Sequence, residues 1–75
     1  MLSISPYIEI NPNIRFGKPV IKGTRITVQD ILEYLASGMS FTEIEEDFPE
    51  LTMPHILAAL AYAAYRERIT KIISA

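Results

Sequence analysis

The chain has 75 residues, 49% of them hydrophobic, with no cysteine, one histidine and a formal net charge of −2. A single domain of this size buries only roughly 60–65% of the surface its unfolded chain exposes. Composition excludes disulfides and a zinc site, so self-association is the remaining way to stabilise a thin core, and the net acidity excludes a general nucleic-acid coat, whose affinity comes from neutralised phosphates.

Tyr7 to Ile10 alternates, with Ile8 and Ile10 on one side and Tyr7 and Glu9 on the other, the period of a half-buried strand. Asn11, Pro12 and Asn13 end it. Gly17 to Ile26, GKPVIKGTRI, is a glycine- and proline-framed cationic loop holding Lys18, Lys22 and Arg25, with Arg15 just before it. Within the loop, Val20 and Ile21 are β-branched and predict a second short strand, so residues 7–26 read as a small hairpin or β-arm. The formal charge is +3 over residues 1–26, −7 over 27–54 and +2 over 55–75. A charge split of this kind suits a cationic loop that meets DNA backbone or an acidic protein surface.

Thr27 and Asp30 form a capping-box pair ahead of Val28, Ile31, Leu32 and Leu35, which recur at helical spacing until Gly38, the expected left-handed terminator. Ser40 and Glu43 form the same box for a short second helix, with Phe41, Ile44 and Phe48 on one face and the carboxylates Glu43, Glu45, Glu46 and Asp47 on the other. After Pro49, Thr52 is the expected cap of a third, longer helix that tolerates Pro54 in its first turn. The three-helix core is expected over residues 27–65 and a helical extension over 66–75, all within one domain. A short second helix, the FPELT turn and a longer third helix follow the order of homeodomain-like helix-turn-helix domains. The fold class is therefore mostly α, three helices preceded by a short β-hairpin or β-arm.

The third helix carries two apolar stripes. Met53, Ile56, Leu57, Leu60 and Ala64 are expected to face the core. Ala58, Tyr62, Tyr65, Ile69 and Ile72, with Ile73 at the edge, lie nearly opposite and predict a homodimer interface across a two-fold axis. The N-terminal arm is the alternative cover for this second stripe. The uncharged run from Met53 to Tyr65 is 13 residues, too short to span a bilayer, and no basic start with an apolar core and cleavage site is present. A cytoplasmic, membrane-free protein is expected.

Catalytic chemistries find little support. GKPVIKGT has the length of a phosphate-binding loop, but Lys22 and Gly23 stand in reversed order and the parallel sheet that presents such loops has no room. His55 follows Pro54 at a helix start without a triad partner. The carboxylates of the second helix read as a solvated face rather than a metal site. No catalytic residue, cofactor or metal is expected, and the protein reads as a non-enzyme. A DNA-reading helix uses Arg, Lys, Asn or Gln, and residues 53–65 contain none; any DNA contact falls to Arg15, Lys18, Lys22 and Arg25, or to Arg66, Arg68 and Lys71.

The string GKPVIKGTRITVQDILEYLASGMSFTEIEEDFPELT resembles a family of small bacterial and archaeal proteins, domain of unknown function 433. The resemblance covers about residues 7–65 and rests on Gly17, Lys18, Pro19, Lys22, Gly23, Thr24, Arg25, Gly38, Pro49, Leu51 and Thr52. It implies a homeodomain-like fold and an antitoxin-like role beside a PIN-like ribonuclease toxin, with operator DNA as a second partner. The acidic face Glu43, Glu45, Glu46 and Asp47 suits a nuclease built to meet RNA phosphates. A protein-interaction or dimerisation module without DNA binding is the alternative.

Overall fold

The computed structural model describes the backbone of residues 2–74 and the side chains of residues 5–68. Three short strands precede three helices: β1 (Leu2–Ser5), β2 (Ile8–Ile10), β3 (Val20–Ile21), α1 (Val28–Ala36), α2 (Phe41–Asp47) and α3 (Met53–Ser74). The sheet is antiparallel in the order β1-β2-β3, so the arm has one strand more than the alternation at Tyr7 to Ile10 and the Val20–Ile21 pair predict. Ile8 and Ile21 face each other across β2 and β3 and are both fully buried. This cross-strand pair is the point at which the arm enters the core.

The helix boundaries follow from local hydrogen bonding. At α1 the Thr27 hydroxyl accepts from the Asp30 amide at 2.9 Å and the Asp30 carboxylate accepts from the Thr27 amide at 3.1 Å, a complete capping box. Its other end is a Schellman closure, in which the Met39 amide donates to Tyr34 O and the Gly38 amide to Leu35 O. The closure requires a left-handed residue, and Gly38 has φ +99°. Ser40 and Glu43 repeat the box at α2. Thr52 accepts the first helical bonds of α3 through its carbonyl, but the cap differs from expectation: the His55 Nδ1 atom accepts the Thr52 amide at 3.0 Å. An amide only donates, so Nδ1 is the acceptor and the ring proton sits on Nε2. His55 thus takes the place that Glu or Gln holds in a capping box.

The core gathers Ile8 and Ile21 from the sheet, Val28 and Ile31 from α1, Ile44 from α2, Leu51 from the turn, and Ile56, Ala59 and Tyr62 from α3. The phase of α3 therefore differs from the expected one. Met53 and Leu57 are 47% and 50% exposed and Ala64 is exposed, whereas Tyr62, expected on the dimer face, is only 6% exposed and belongs to the core. Ala58 also packs against the core from its edge. The sheet explains the shift: Ser5 and Ile8 line a recess with Ala58 and Tyr62, so the arm covers the side of the helix expected to be open.

Candidate functional site

Most of the cationic loop is architecture. The Asn13 amide donates to Asn11 Oδ1 and the Ile14 amide to Asn11 O, which starts the return of the chain. Arg15, Phe16 and Gly17 follow with φ of 48°, 60° and 81°, a left-handed turn closed by the Gly17 amide on Ile14 O. The Pro19 carbonyl accepts the Val28 amide at 2.9 Å and so satisfies an otherwise orphan donor at the start of α1. Residues 21–24 form a type II turn: the Thr24 amide donates to Ile21 O, and Gly23 supplies the positive φ of 83°. The Thr24 hydroxyl donates to Ile21 O and accepts from the Ile26 amide, locking that turn to the strand beside it. Gly17, Pro19, Gly23 and Thr24 are accordingly explained by the fold.

The four cations divide. Arg15 points inward: its Nη1 atom donates to Arg25 O at 2.8 Å and to Asp30 Oδ2 at 3.2 Å, tying the left-handed turn to the α1 capping box. The partner of Asp30 is therefore Arg15, and Arg15 is better placed as a brace than as a contact residue. Lys18, Lys22 and Arg25 are exposed. Phe16, next to Arg15 in the chain and not among the residues expected at the site, is 96% exposed.

The acidic group also divides. Glu43 caps α2 by accepting the Ser40 amide at 2.9 Å. Glu45 is half-buried, and Glu46 and Asp47 are exposed. Where α3 begins, the exposed Met53 and Leu57 follow this acidic helix in the chain. His55 sits there as a packing and capping residue, edge-on to Tyr7 with ring centroids 5.2 Å apart. Tyr34 stacks on Phe48 at 4.7 Å. Burial, then the Asp30 carboxylate, pushes its phenol above the ordinary tyrosine range, with Arg15 opposing, so the stacked ring stays neutral.

Of the residues expected at a dimer interface, Tyr62 lies in the core and its hydroxyl accepts from Arg66 at 3.1 Å. Tyr65 is 41% exposed. Ile69, Ile72 and Ile73 lie outside the described side chains. Among the described residues no cluster of His, Cys, Asp and Glu is arranged to hold a metal ion, and no helix is long and apolar enough to cross a membrane.

A family model described as "Protein of unknown function (DUF433)" matches residues 8–63. The uncharacterised protein y4eO of Sinorhizobium fredii (strain NBRC 101917 / NGR234) is 38% identical over 53 residues, which cover 71% of this chain and 24% of that protein. The chain thus spans about a quarter of that relative's length. The crystal structure of a DUF433 member protein from Anabaena variabilis ATCC 29413 is similar with a TM-score of 0.77 and 30% identity, over 92% of this chain and 69% of that one.

Proposed function

The chain belongs to the DUF433 family, and on that premise we propose that it is a non-catalytic regulatory module of the toxin-antitoxin kind whose α2–α3 corner docks on a PIN-like nuclease. The observation that carries this reading is the make-up of the corner. Glu46 and Asp47 are exposed on α2, Met53 and Leu57 are exposed on α3, and residues 53–65 offer no Arg, Lys, Asn or Gln to read a base edge. A helix in the recognition position that presents thioether and aliphatic surface, preceded in the chain by a helix with exposed carboxylates, suits a protein partner. Nuclease surfaces that hold RNA phosphates are basic, and an acidic neighbour both steers and blocks them.

Coexpression with the PIN-like product of a neighbouring gene tests the reading. The pair is expected to copurify, and Glu45→Lys with Glu46→Lys is expected to weaken the complex on the order of tenfold or more. A double variant that copurifies as well as the parent would overturn it.

Two further contacts belong to this proposal. Operator DNA is assigned to Lys18, Lys22 and Arg25, which are exposed and have no side-chain partner among the described residues. Self-association is assigned to the exposed side of α3 at Tyr65, where the adjacent small residues Ala61 and Ala64 allow a second helix to approach closely. Equilibrium sedimentation of Tyr65→Glu is expected to give a monomer where the parent gives a dimer; an unchanged mass removes Tyr65 from the interface.

A further inference from the structure

Among the described residues, Phe16 is the one large hydrophobic side chain that the fold leaves almost wholly in water, at 96% exposure. A chain this short gains much from every aromatic it buries. This one is held away from the core by a backbone that bulky L residues avoid, with φ 60° at Phe16 and 48° at Arg15 before it. Strain kept without packing in return is a mark of functional sites.

The display is also rigidly built. The Gly17 amide donates to Ile14 O at 3.1 Å and the Lys18 amide to Arg15 O at 3.2 Å, which closes the turn on both sides of the ring. Arg15 then fastens the turn to two separate places, Arg25 O and Asp30 Oδ2. A ring fixed in this way loses little freedom on binding.

Charge identifies the ligand. Residues 10–29 contain four basic side chains and no acidic one, although the chain as a whole is at −2. Arg15 is matched by Asp30, which leaves Lys18, Lys22 and Arg25 facing outward. Lys18 is two positions beyond the ring in the chain, and Arg15 beside the ring binds the Arg25 carbonyl, so the ring is carried on the cationic stretch of the chain and that stretch is tied back to Arg25. Lysine is depleted in protein–protein interfaces and serves well as a point charge for phosphate. An exposed aromatic ring carried on a cationic stretch of chain suits stacking on nucleobases whose phosphates the cations meet. Duplex bases already stack on one another, so the ring needs an unpaired base.

We propose that the Arg15–Gly17 turn is a single-stranded nucleic-acid site, in which Phe16 stacks on an unpaired base while Lys18 and Arg25 meet the flanking phosphates. The site is independent of the nuclease-docking corner and shares only its cations with the operator contact. Fluorescence anisotropy of a short fluorescein-labelled oligo(dT) strand tests it, with an unlabelled duplex of equal length as competitor. Phe16→Ala is expected to weaken strand binding roughly 5- to 150-fold, and Phe16→Tyr, which keeps the π-face, to stay within about threefold of the parent. Lys18→Ala with Arg25→Ala is expected to lower the salt slope by roughly 1.4. Parent-like strand binding by Phe16→Ala overturns the proposal, as does a duplex that competes as well as a strand, or no strand binding at low salt by a protein whose circular dichroism shows it folded. Binding of the duplex itself, measured separately, reports on the operator contact, so the two readings fail by different results.

Discussion

Ile56→Ala is expected to leave much of the protein unfolded at physiological temperature, while Leu57→Ala, one position along the same helix, is expected to change little. Ile56 is fully buried, in one core cluster with Ile31, Ile44 and Leu51. Truncating a buried isoleucine costs about 2–5 kcal/mol, the lost transfer of its methyl groups plus the cavity left behind. At about 0.05–0.15 kcal/mol per residue, the whole chain has only roughly 4–11 kcal/mol to lose. A domain of this length loses roughly 4–8 °C in Tm per kcal/mol, so Ile56→Ala is expected to melt at least about 8 °C lower. Leu57 is 50% exposed, and its truncation is expected to cost less than about 1 kcal/mol. Thermal unfolding followed at the helical circular dichroism band compares the two directly. Equal losses would mean that α3 presents a different face to the core.

That comparison bears on the part of the fold the sequence left open. The helix ends were legible because caps are local: Thr27 with Asp30, Ser40 with Glu43 and Gly38 each act on backbone groups a few residues away. The rotation of α3 was not, because alanine fits a core or a surface equally well and the helix is rich in it. Ile56, Ala59 and Tyr62 set the rotation, and only the arm lying over Ala58 and Tyr62 shows why. The signal for β1 was present in the alternation of Leu2, Ser3, Ile4 and Ser5, but serine is a weak strand former and masked it. In the candidate site, the exposure of Lys18, Lys22 and Arg25 agrees with their charge. The inward turn of Arg15 is a tertiary choice, fixed by how β3 returns against α1, and nothing in the string distinguishes it from Arg25. Phe16 escaped notice for a physical reason: a phenylalanine is expected inside, and a left-handed backbone at a bulky residue has no sequence signature.

Asp30→Ala is expected to cost about 2–4 kcal/mol, a large effect for a half-buried surface carboxylate, because one oxygen serves two neighbours. Oδ2 accepts the Thr27 amide at 3.1 Å and the Arg15 guanidinium at 3.2 Å. Thr27 is only 2% exposed, so water cannot readily replace the lost acceptor, and the orphaned amide adds its desolvation to the loss of the cap. The ion pair contributes the smaller share. The Arg15 and Asp30 side chains are 34% and 26% exposed, and solvent screening holds such a pair to less than about 1 kcal/mol. Asp30→Asn keeps an oxygen for the Thr27 amide and is therefore expected to lose only about 1 kcal/mol. Arg15→Ala is expected to leave the urea midpoint near the parent's yet release the left-handed turn, since both of its anchors at Arg25 O and Asp30 go with the guanidinium. Urea unfolding separates these roles: a lowered midpoint at constant slope marks the cap, and its absence in Asp30→Ala would remove the capping box as the hold on α1. If Arg15 acts as the brace of the turn, its truncation also weakens oligo(dT) binding through the ring it positions, more than a single lost charge contributes to the salt slope.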